Sequence, residues 1–330
     1  MKKILWVCCC LMPLAALSAQ RSFPPNATPE QFAQWQQGAR AFLSTALFNG
    51  PPPERVALEP AFGTREQREG YELTEVTFHD RPGHLTIGWL ARPIHPRAAR
   101  LPLIMSLHGH DFDAHDTFDP NNMYYYGDFF ARQGYIVFAI QIGHDYIDHD
   151  RPLTGLGPLH KNVPFPYMGQ KTWMAVRSLD FVSGLPDADP DRIGAVGLSN
   201  GGLTTMFIAA VDTRIKIAIS AGILIMHHRF FHPAFTPCRC EYVDKMDGVL
   251  DYYDVYALIA PRPLIIENGV KDRGFPVNSS IKAFKHIQQA YTIAGVPDQV
   301  IHVVHPGAHS FVPEVPGEWV RKDLPLPNHR

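Results

Sequence analysis

A serine enclosed by glycines is the first candidate for chemistry in this sequence of 330 residues. Residues 197–202 are Gly-Leu-Ser-Asn-Gly-Gly, so Ser199 lies two residues from a glycine on either side. An apolar run precedes the motif at 193–198, and a run compatible with a helix follows it at 201–211. A serine on a sharp turn between a strand and a helix is presented to a carbonyl carbon, and the glycines let the two elements approach each other. The motif therefore predicts a nucleophile for acyl transfer.

Such a serine needs a general base and an acid that orients the base. His309 lies in a glycine-containing loop after the last predicted strand, where it can reach back over Ser199. Asp272 follows the apolar run 263–268 by a short turn, at the sheet edge where an acid can orient a histidine. Glu267 is the alternative acid, although it lies within the strand. We predict the triad Ser199, Asp272 and His309, in the chain order that strand-turn-helix serine hydrolases use.

Two backbone N–H groups are the expected partners of the oxyanion. The apolar run 101–107 leads into His108-Gly109-His110-Asp111, and a His-Gly turn after a buried strand is a typical place for such a donor. We predict that the N–H groups of His110 and Asn200 hold the oxyanion, with Asp111 as the next-best donor. His108 and Asp111 are also candidate substrate-binding residues, and His108 is alternatively a histidine whose hydrogen bonds are satisfied within the turn.

The elements that must position these residues alternate along the chain. Two runs at 73–78 and 85–90 are typical of an antiparallel pair around a Pro-Gly turn. Short apolar runs typical of buried strands follow at residues 101–107, 135–142, 193–198, 215–220, 263–268 and 300–304. Helical segments are expected at 123–132, 167–183, 201–211 and 279–294. This alternation predicts an α/β fold with a mostly parallel central sheet flanked by helices.

The N-terminal region suggests export followed by a helical extension. Lys2 and Lys3 precede an apolar run at 4–17, and Ser18-Ala19 offers a cleavage site before Gln20. We therefore predict a signal peptide at 1–19 and a periplasmic or secreted protein, an uncleaved anchor being the alternative.

The remaining chain is divided into an extension at 20–70 and a catalytic domain at 71–330. Thr28 and Gln31 form a predicted capping box for a helix. The residues expected on its buried face are Phe32, Trp35, Ala39, Phe42 and Ala46. Residues 49–68 are expected to be an irregular connection.

Composition excludes several classes of partner and cofactor. The net charge of −2 provides no basic field for nucleic acid. Three of the five cysteines lie in the predicted signal peptide, and Cys238 and Cys240 are too close in sequence to bridge easily, so no disulfide framework is expected. His228 and His232 are one helical turn apart but lack an evident third ligand, so we predict no metal and no cofactor.

Residues 226–255 form a long connection, which we interpret as a cap or substrate loop. Tyr242, Tyr252 and Tyr253 in this segment are candidates for stacking on a sugar or for packing. Of these, we predict Tyr242 and Tyr252 as substrate-binding residues. The polar cluster at 144–150 has three interpretations, a substrate-shaping loop, a solvated surface or a cation site.

Three sequence stretches resemble a known family. They are Asp191-Arg192-Ile193-Gly194, the glycine-serine motif at 197–202, and Ala260-Pro261-Arg262-Pro263-Leu264. Over about residues 70–315 the chain is similar to the acetyl xylan esterase and dienelactone-hydrolase-like branch of the α/β-hydrolases. The resemblance implies an α/β-hydrolase fold and a serine carboxylic-ester hydrolase, often for acetylated sugars, with a small-molecule or carbohydrate ester as substrate.

The chain departs from this family in two places. Dienelactone hydrolases have cysteine at the nucleophile position, and this chain has serine. The usual glycine-rich stretch after the His-Gly turn is here His110-Asp111-Phe112-Asp113, which predicts a different acyl pocket. A serine peptidase of prolyl-oligopeptidase type is the alternative function, although about 70 residues before the fold are too few for the propeller of such enzymes.

Overall fold

One sheet of nine strands organises the part of the chain that the computed structural model describes, which is residues 22–110, 112–143, 166–226 and 239–327. The strands are β1 (Ala61–Gln67), β2 (Tyr71–Arg81), β3 (His84–Pro93), β4 (Leu101–Leu107), β5 (Ile136–Ile140), β6 (Ala188–Leu198), β7 (Ile215–Ala221), β8 (Leu264–Gly269) and β9 (Val300–His305). Their order in the sheet is β1-β2-β3-β5-β4-β6-β7-β8-β9.

The sheet has an antiparallel edge and a parallel body. β1, β2 and β3 pair antiparallel, and β3 pairs antiparallel with β5. All pairs from β5 through β4, β6, β7 and β8 to β9 are parallel. The carboxyl ends of β4 and β6 are in register, with Leu107 opposite Gly197. This pairing brings the His-Gly turn beside Ser199, and it confirms the predicted α/β fold with a mostly parallel sheet.

Helices cover both faces of the sheet. They are α1 (Pro29–Phe48), α2 (Tyr126–Gln133), α3 (Tyr167–Ser183), α4 (Asn200–Val211), α5 (Tyr252–Ala257), α6 (Val277–Ile293) and α7 (Glu314–Asp323). One apolar core contains side chains of α1, α3, α4, α5 and α6, and a second contains those of α2 and α7. Every strand predicted from an apolar run is present, because such runs are buried on both faces in a parallel sheet.

Helix α1 is an integral part of this architecture. Its capping box between Thr28 and Gln31 is formed, and Phe32, Trp35, Ala39 and Ala46 are buried as predicted. Phe42 is only half-buried; Leu43, Leu47 and Phe48 complete the apolar face instead.

Two polar side chains of α1 also bind distant backbone. Arg40 donates to the carbonyl oxygens of Ala210 and Leu258, each at 2.8 Å. Gln36 donates to those of Ala257 and Ala260, each at 2.9 Å. These contacts attach α1 to the C-terminal end of α4 and to the segment around α5.

Two expectations about connections need correction. The predicted irregular segment 49–68 contains strand β1, which is exposed and pairs with β2 by its backbone, so it lacks the buried alternation that would have revealed it. The described end of the predicted cap contains α5, whose Tyr252 and Val255 lie in the apolar core.

Several predictions concern residues outside the described ranges. These are the signal peptide at 1–19, Asp111, the cluster at 144–150, Cys238, and the histidines 227, 228 and 232. Among the described helices, none combines the length and the apolar character needed to cross a membrane.

Candidate active site

Ser199 occupies a strained turn between β6 and α4. Its backbone has φ 62° and ψ −126°, a conformation that a residue other than glycine adopts only under constraint. A Cβ on Gly197 would lie 2.3 Å from the backbone of Gly201, and one on Gly201 would lie 1.8 Å from the carbonyl oxygen of Leu107. Glycine is therefore required on both sides of the serine, as the sequence motif predicts. The N–H of Ser199 donates to the carbonyl of Ala221 at 2.9 Å, which anchors the turn on β7.

His309 and Asp272 are hydrogen-bonded to each other. Nδ1 of His309 donates to Oδ2 of Asp272 at 2.6 Å. The other carboxylate oxygen accepts the N–H groups of Gly274 at 2.9 Å and Phe275 at 3.0 Å, so its orientation is fixed by the backbone. The ring of Phe275 stacks on the imidazole with 5.4 Å between centroids. This arrangement leaves Nε2 of His309 as the ring atom that can exchange a proton with a nucleophile.

Gly222 shows how close the imidazole lies to the turn of Ser199. A Cβ on Gly222 would lie 2.9 Å from Cε1 of His309, and the glycine has a φ of +63°. Gly222 directly follows Ala221, whose carbonyl accepts the N–H of Ser199. The imidazole of His309 therefore packs against the residue that follows the carbonyl anchoring the turn of Ser199.

Glu267, the alternative acid, is not part of this arrangement. It is fully buried in β8, and its Oε2 accepts the N–H of Val312 at 3.4 Å. Burial raises the pKa of this carboxyl well above its usual value. A carboxyl that holds its proton does not stabilise an imidazolium as a carboxylate does.

The hydroxyl of Tyr126 joins the two segments that are expected to supply the oxyanion donors. This fully buried hydroxyl donates to the carbonyl of Leu107, at the end of β4, and accepts the N–H of Leu198 at 3.3 Å. Asn200 is the first residue of α4, where the helix dipole and the N-terminal N–H groups favour negative charge. His110 lies on the loop after β4 and is half-buried.

A cluster of buried polar side chains adjoins Asn200. Nζ of Lys171 donates to Oδ1 of Asn200 at 2.8 Å. Nδ2 of Asn200 lies 3.3 Å both from Sγ of Cys240 and from Oε1 of Glu241. Nδ1 of His110 is 3.5 Å from the same Oε1. Neither Lys171 nor Glu241 was predicted from the sequence; the available signal for Lys171 was a lysine within a mostly apolar helical segment.

Three of these side chains could in principle offer ligand atoms to a metal ion. The ligand atoms of His110, Cys240 and Glu241 lie within 4.8 Å of one another. However, the amide of Asn200 directs its N–H groups at two of those atoms, and the ammonium of Lys171 binds the oxygen of the same amide. Donors and positive charge at this position disfavour a cation.

Two predicted substrate-binding residues are wrong. His108 is fully buried; its Nδ1 donates to the carbonyl of Gly109 at 2.8 Å and its Nε2 accepts the N–H of Ile142 at 3.0 Å. Burial lowers the pKa of His108 to about 4, so the ring is neutral and structural. Tyr252 is 2% exposed and packs in the core. Tyr242 is half-buried and stays a prediction.

Comparisons with known proteins identify the family of the chain. A family model described as acetyl xylan esterase (AXE1) matches residues 52–230, more than half of the chain. The candidate hydrolase YtaP of Bacillus subtilis (strain 168) is 30% identical over 132 residues, 39% of this chain and 44% of that protein. The chain spans less than half the length of the curated relatives it matches.

Solved structures share the fold over nearly the whole chain. A candidate acetyl xylan esterase from Bacteroides fragilis NCTC 9343 has a TM-score of 0.71 at 20% identity, covering 91% of this chain and 90% of that one. A glucuronoyl esterase from Solibacter usitatus has a TM-score of 0.68 at 14% identity, covering 89% and 93%. The sheet therefore has the α/β-hydrolase fold of these esterases. Because the family model covers more than half of the chain, including β1 to β7 and the serine turn, the chain belongs to the acetyl xylan esterase (AXE1) family.

Proposed function

We propose that this protein is an exported serine esterase that removes acetyl or other short acyl groups from carbohydrates. The observation that carries the proposal is the His309–Asp272 hydrogen bond of 2.6 Å at the sheet edge where Ser199 emerges. A histidine oriented by a carboxylate and placed beside a serine on a strained turn is the arrangement that acyl transfer requires. Membership of the acetyl xylan esterase family supports an ester as the substrate.

The reaction proceeds in two halves. Asp272 holds His309 in the tautomer with the proton on Nδ1, so that Nε2 accepts the proton of Ser199 as Oγ attacks the ester carbonyl. The N–H groups of Asn200 and His110 hold the oxyanion of the tetrahedral intermediate. The imidazolium then protonates the leaving alcohol, and the acyl group remains on Ser199. Water attacks this acyl-enzyme with His309 again as the base, which releases the acid.

The substrate class rests on two supports. The family is named for esterases that act on acetylated xylan. One structural neighbour is a glucuronoyl esterase, so an ester of a sugar acid is the second class to test. In both classes the sugar lies on one side of the scissile bond.

A substrate panel tests the activity. Purified protein is assayed on acetyl and butyryl nitrophenyl esters, acetylated xylan, a methyl ester of glucuronic acid and a dipeptide anilide, each beside Ser199→Ala. We expect turnover of the acetyl esters and none by the variant. Cleavage of the anilide without ester turnover would instead support a peptidase, and equal rates for both proteins would exclude Ser199 as the nucleophile.

Export is tested separately by the mass of the mature protein. We expect a chain that begins at Gln20 when the full sequence is expressed in a host with a secretion pathway. A protein that retains residues 1–19 would contradict cleavage at this site. Replacing Lys2 and Lys3 by glutamate should reduce processing, because the positive start orients the apolar run.

A further inference from the structure

A fully buried lysine contacts the residue that follows the candidate nucleophile and takes no part in the reaction steps above. None of the surface of Lys171, on α3, reaches solvent. Its Nζ donates to Oδ1 of Asn200 at 2.8 Å, and Asn200 directly follows Ser199. Removing an ammonium group from water is costly unless charge and hydrogen bonds compensate for it. The burial of Lys171 therefore depends on its neighbours.

Within the described residues, Glu241 offers a compensating charge, and it is connected to Lys171 through the amide of Asn200. Nδ2 of Asn200 lies 3.3 Å from Oε1 of Glu241, and both side chains are buried. The amide presents its oxygen to the cation and its nitrogen to the carboxylate, so both hydrogen bonds are charge-assisted. We name Lys171, Asn200 and Glu241 the buried relay.

The buried relay connects the two segments that are predicted to hold the oxyanion. Asn200 supplies one predicted N–H donor, at the start of α4. On the other segment, Nδ1 of His110 lies 3.5 Å from Oε1 of Glu241. His108, on the same loop, has a pKa that is lowered mainly by burial and further by the charge of Lys171.

We propose that Lys171 is a positioning residue of the oxyanion hole, which acts through Asn200 and Glu241 to fix the N–H groups of Asn200 and His110. This rests on the proposed function, because an oxyanion must form at Ser199. Lys171 itself is shielded from substrate by its burial. Its charge lies one hydrogen bond from Asn200, which supplies a predicted oxyanion donor. Preorganised charge of this kind stabilises a transition state in which negative charge develops more than it stabilises the bound substrate.

The test is Lys171→Met, which removes the ammonium and keeps an unbranched side chain. We expect kcat on 4-nitrophenyl acetate to fall about 10- to 100-fold with KM nearly unchanged, since direct oxyanion donors are worth about 100- to 1000-fold and this effect is indirect. The rate at which a fluorophosphonate modifies Ser199, followed by intact mass, should fall by a similar factor.

The matched control is Thr172→Val, at the next position of the same helix. Thr172 is also fully buried, and its hydroxyl donates to the carbonyl of Met168 at 2.7 Å, away from the relay. We expect this variant to lower Tm with kcat and the modification rate unchanged. A purely structural role for Lys171 predicts that Lys171→Met behaves in the same way.

A double variant adds a readout of coupling. Asn200→Ala keeps the backbone N–H but cuts the relay at its centre. Lys171→Met combined with Asn200→Ala should therefore lose about as much kcat as either single variant, because both remove one unit. If the fold-loss of kcat in the double variant equals the product of the two single fold-losses, the two residues act independently and the relay is contradicted.

The outcomes separate this proposal from the proposed function. Unchanged kcat and modification rate in folded Lys171→Met overturn the role of Lys171. If that variant does not fold, Asn200→Ala decides, since full activity there overturns the relay and a loss of kcat at unchanged KM supports it. If the wild-type protein hydrolyses no ester, the proposed function fails, and the fluorophosphonate rates of the variants still test the relay.

Discussion

Asp272 and His309 are 37 residues apart in sequence, yet Oδ2 of the one lies 2.6 Å from Nδ1 of the other. The carboxylate is held from its other oxygen by two backbone N–H groups of the turn that follows it. One oxygen therefore builds the turn and the second orients the imidazole.

Asp272→Asn should separate these two tasks. An asparagine keeps an oxygen for the turn but loses the negative charge, and its amide group favours the wrong tautomer of His309. We expect kcat to fall about 10³- to 10⁴-fold with little change in Tm. Glu267→Gln, at the buried carboxyl of β8, is the matched control and should keep wild-type kcat. Ester assays with thermal unfolding of both variants check this, and a reversed order of the two kcat values would make Glu267 the acid.

Tyr126→Phe tests the bridge between β4 and β6. In this variant the buried carbonyl of Leu107 and the buried N–H of Leu198 both lose the hydroxyl that connects them. We expect this loss to lower the unfolding free energy by about 1–3 kcal/mol. Because both groups border the oxyanion segments, kcat should fall as well. Tyr135→Phe removes another buried hydroxyl, bonded to Leu324 at 3.1 Å on the far side of the fold. Urea unfolding should show a lower unfolding free energy for both variants, whereas kcat should fall only in Tyr126→Phe.

The buried carboxyl of Glu267 should make stability depend on pH. Its pKa is raised by burial in the folded protein, whereas in the unfolded chain it ionises near its usual value. Above about pH 4.5 the unfolded state releases a proton that the folded state keeps, so unfolding becomes more favourable as pH rises. Glu267→Gln removes this effect. Its unfolding free energy relative to wild type should increase between pH 5 and pH 8, and a constant difference would contradict the assignment.

Arg40→Met tests whether α1 belongs to the catalytic unit. The substitution removes the donors to Ala210 and Leu258, and we expect a loss of about 2–4 kcal/mol from the two carbonyls left unpaired. Arg55 is the contrasting position, because its side chain is 58% exposed and pairs with Asp180, which keeps Arg177 and Arg214 as partners. Arg55→Met should cost less than about 1 kcal/mol. If chemical unfolding shows equal losses of unfolding free energy for Arg40→Met and Arg55→Met, α1 packs only loosely.

The sequence predicted those features whose signal is local. The turn of Ser199 could be recognised because strain and close packing restrict two positions to glycine. The buried strands could be recognised because a parallel sheet makes both faces apolar. Asp272 and His309 could be named because they follow apolar strands by short loops.

Features that depend on tertiary neighbours were missed. Strand β1 is exposed, so its sequence has no alternation, and only pairing with β2 defines it. Tyr252 and His108 have residue types that suit a binding site, but their burial is decided by packing. The burial of Lys171 could not be predicted because a lysine is usually exposed, and its contacts with Asn200 and, through that amide, with Glu241 become visible only in the fold.

The hydrogen bonds of α1 have a consequence for synthesis. Arg40 and Gln36 bind partners 170 to 224 residues further along the chain. The first helix therefore cannot complete its docking until residue 260 has left the ribosome, and its apolar face stays uncovered while most of the protein is being made. At synthesis rates of about 5–20 residues per second this delay is on the order of ten seconds or more. A nascent chain of this kind is held open long enough for chaperones or a translocation machinery to engage it before the catalytic domain closes.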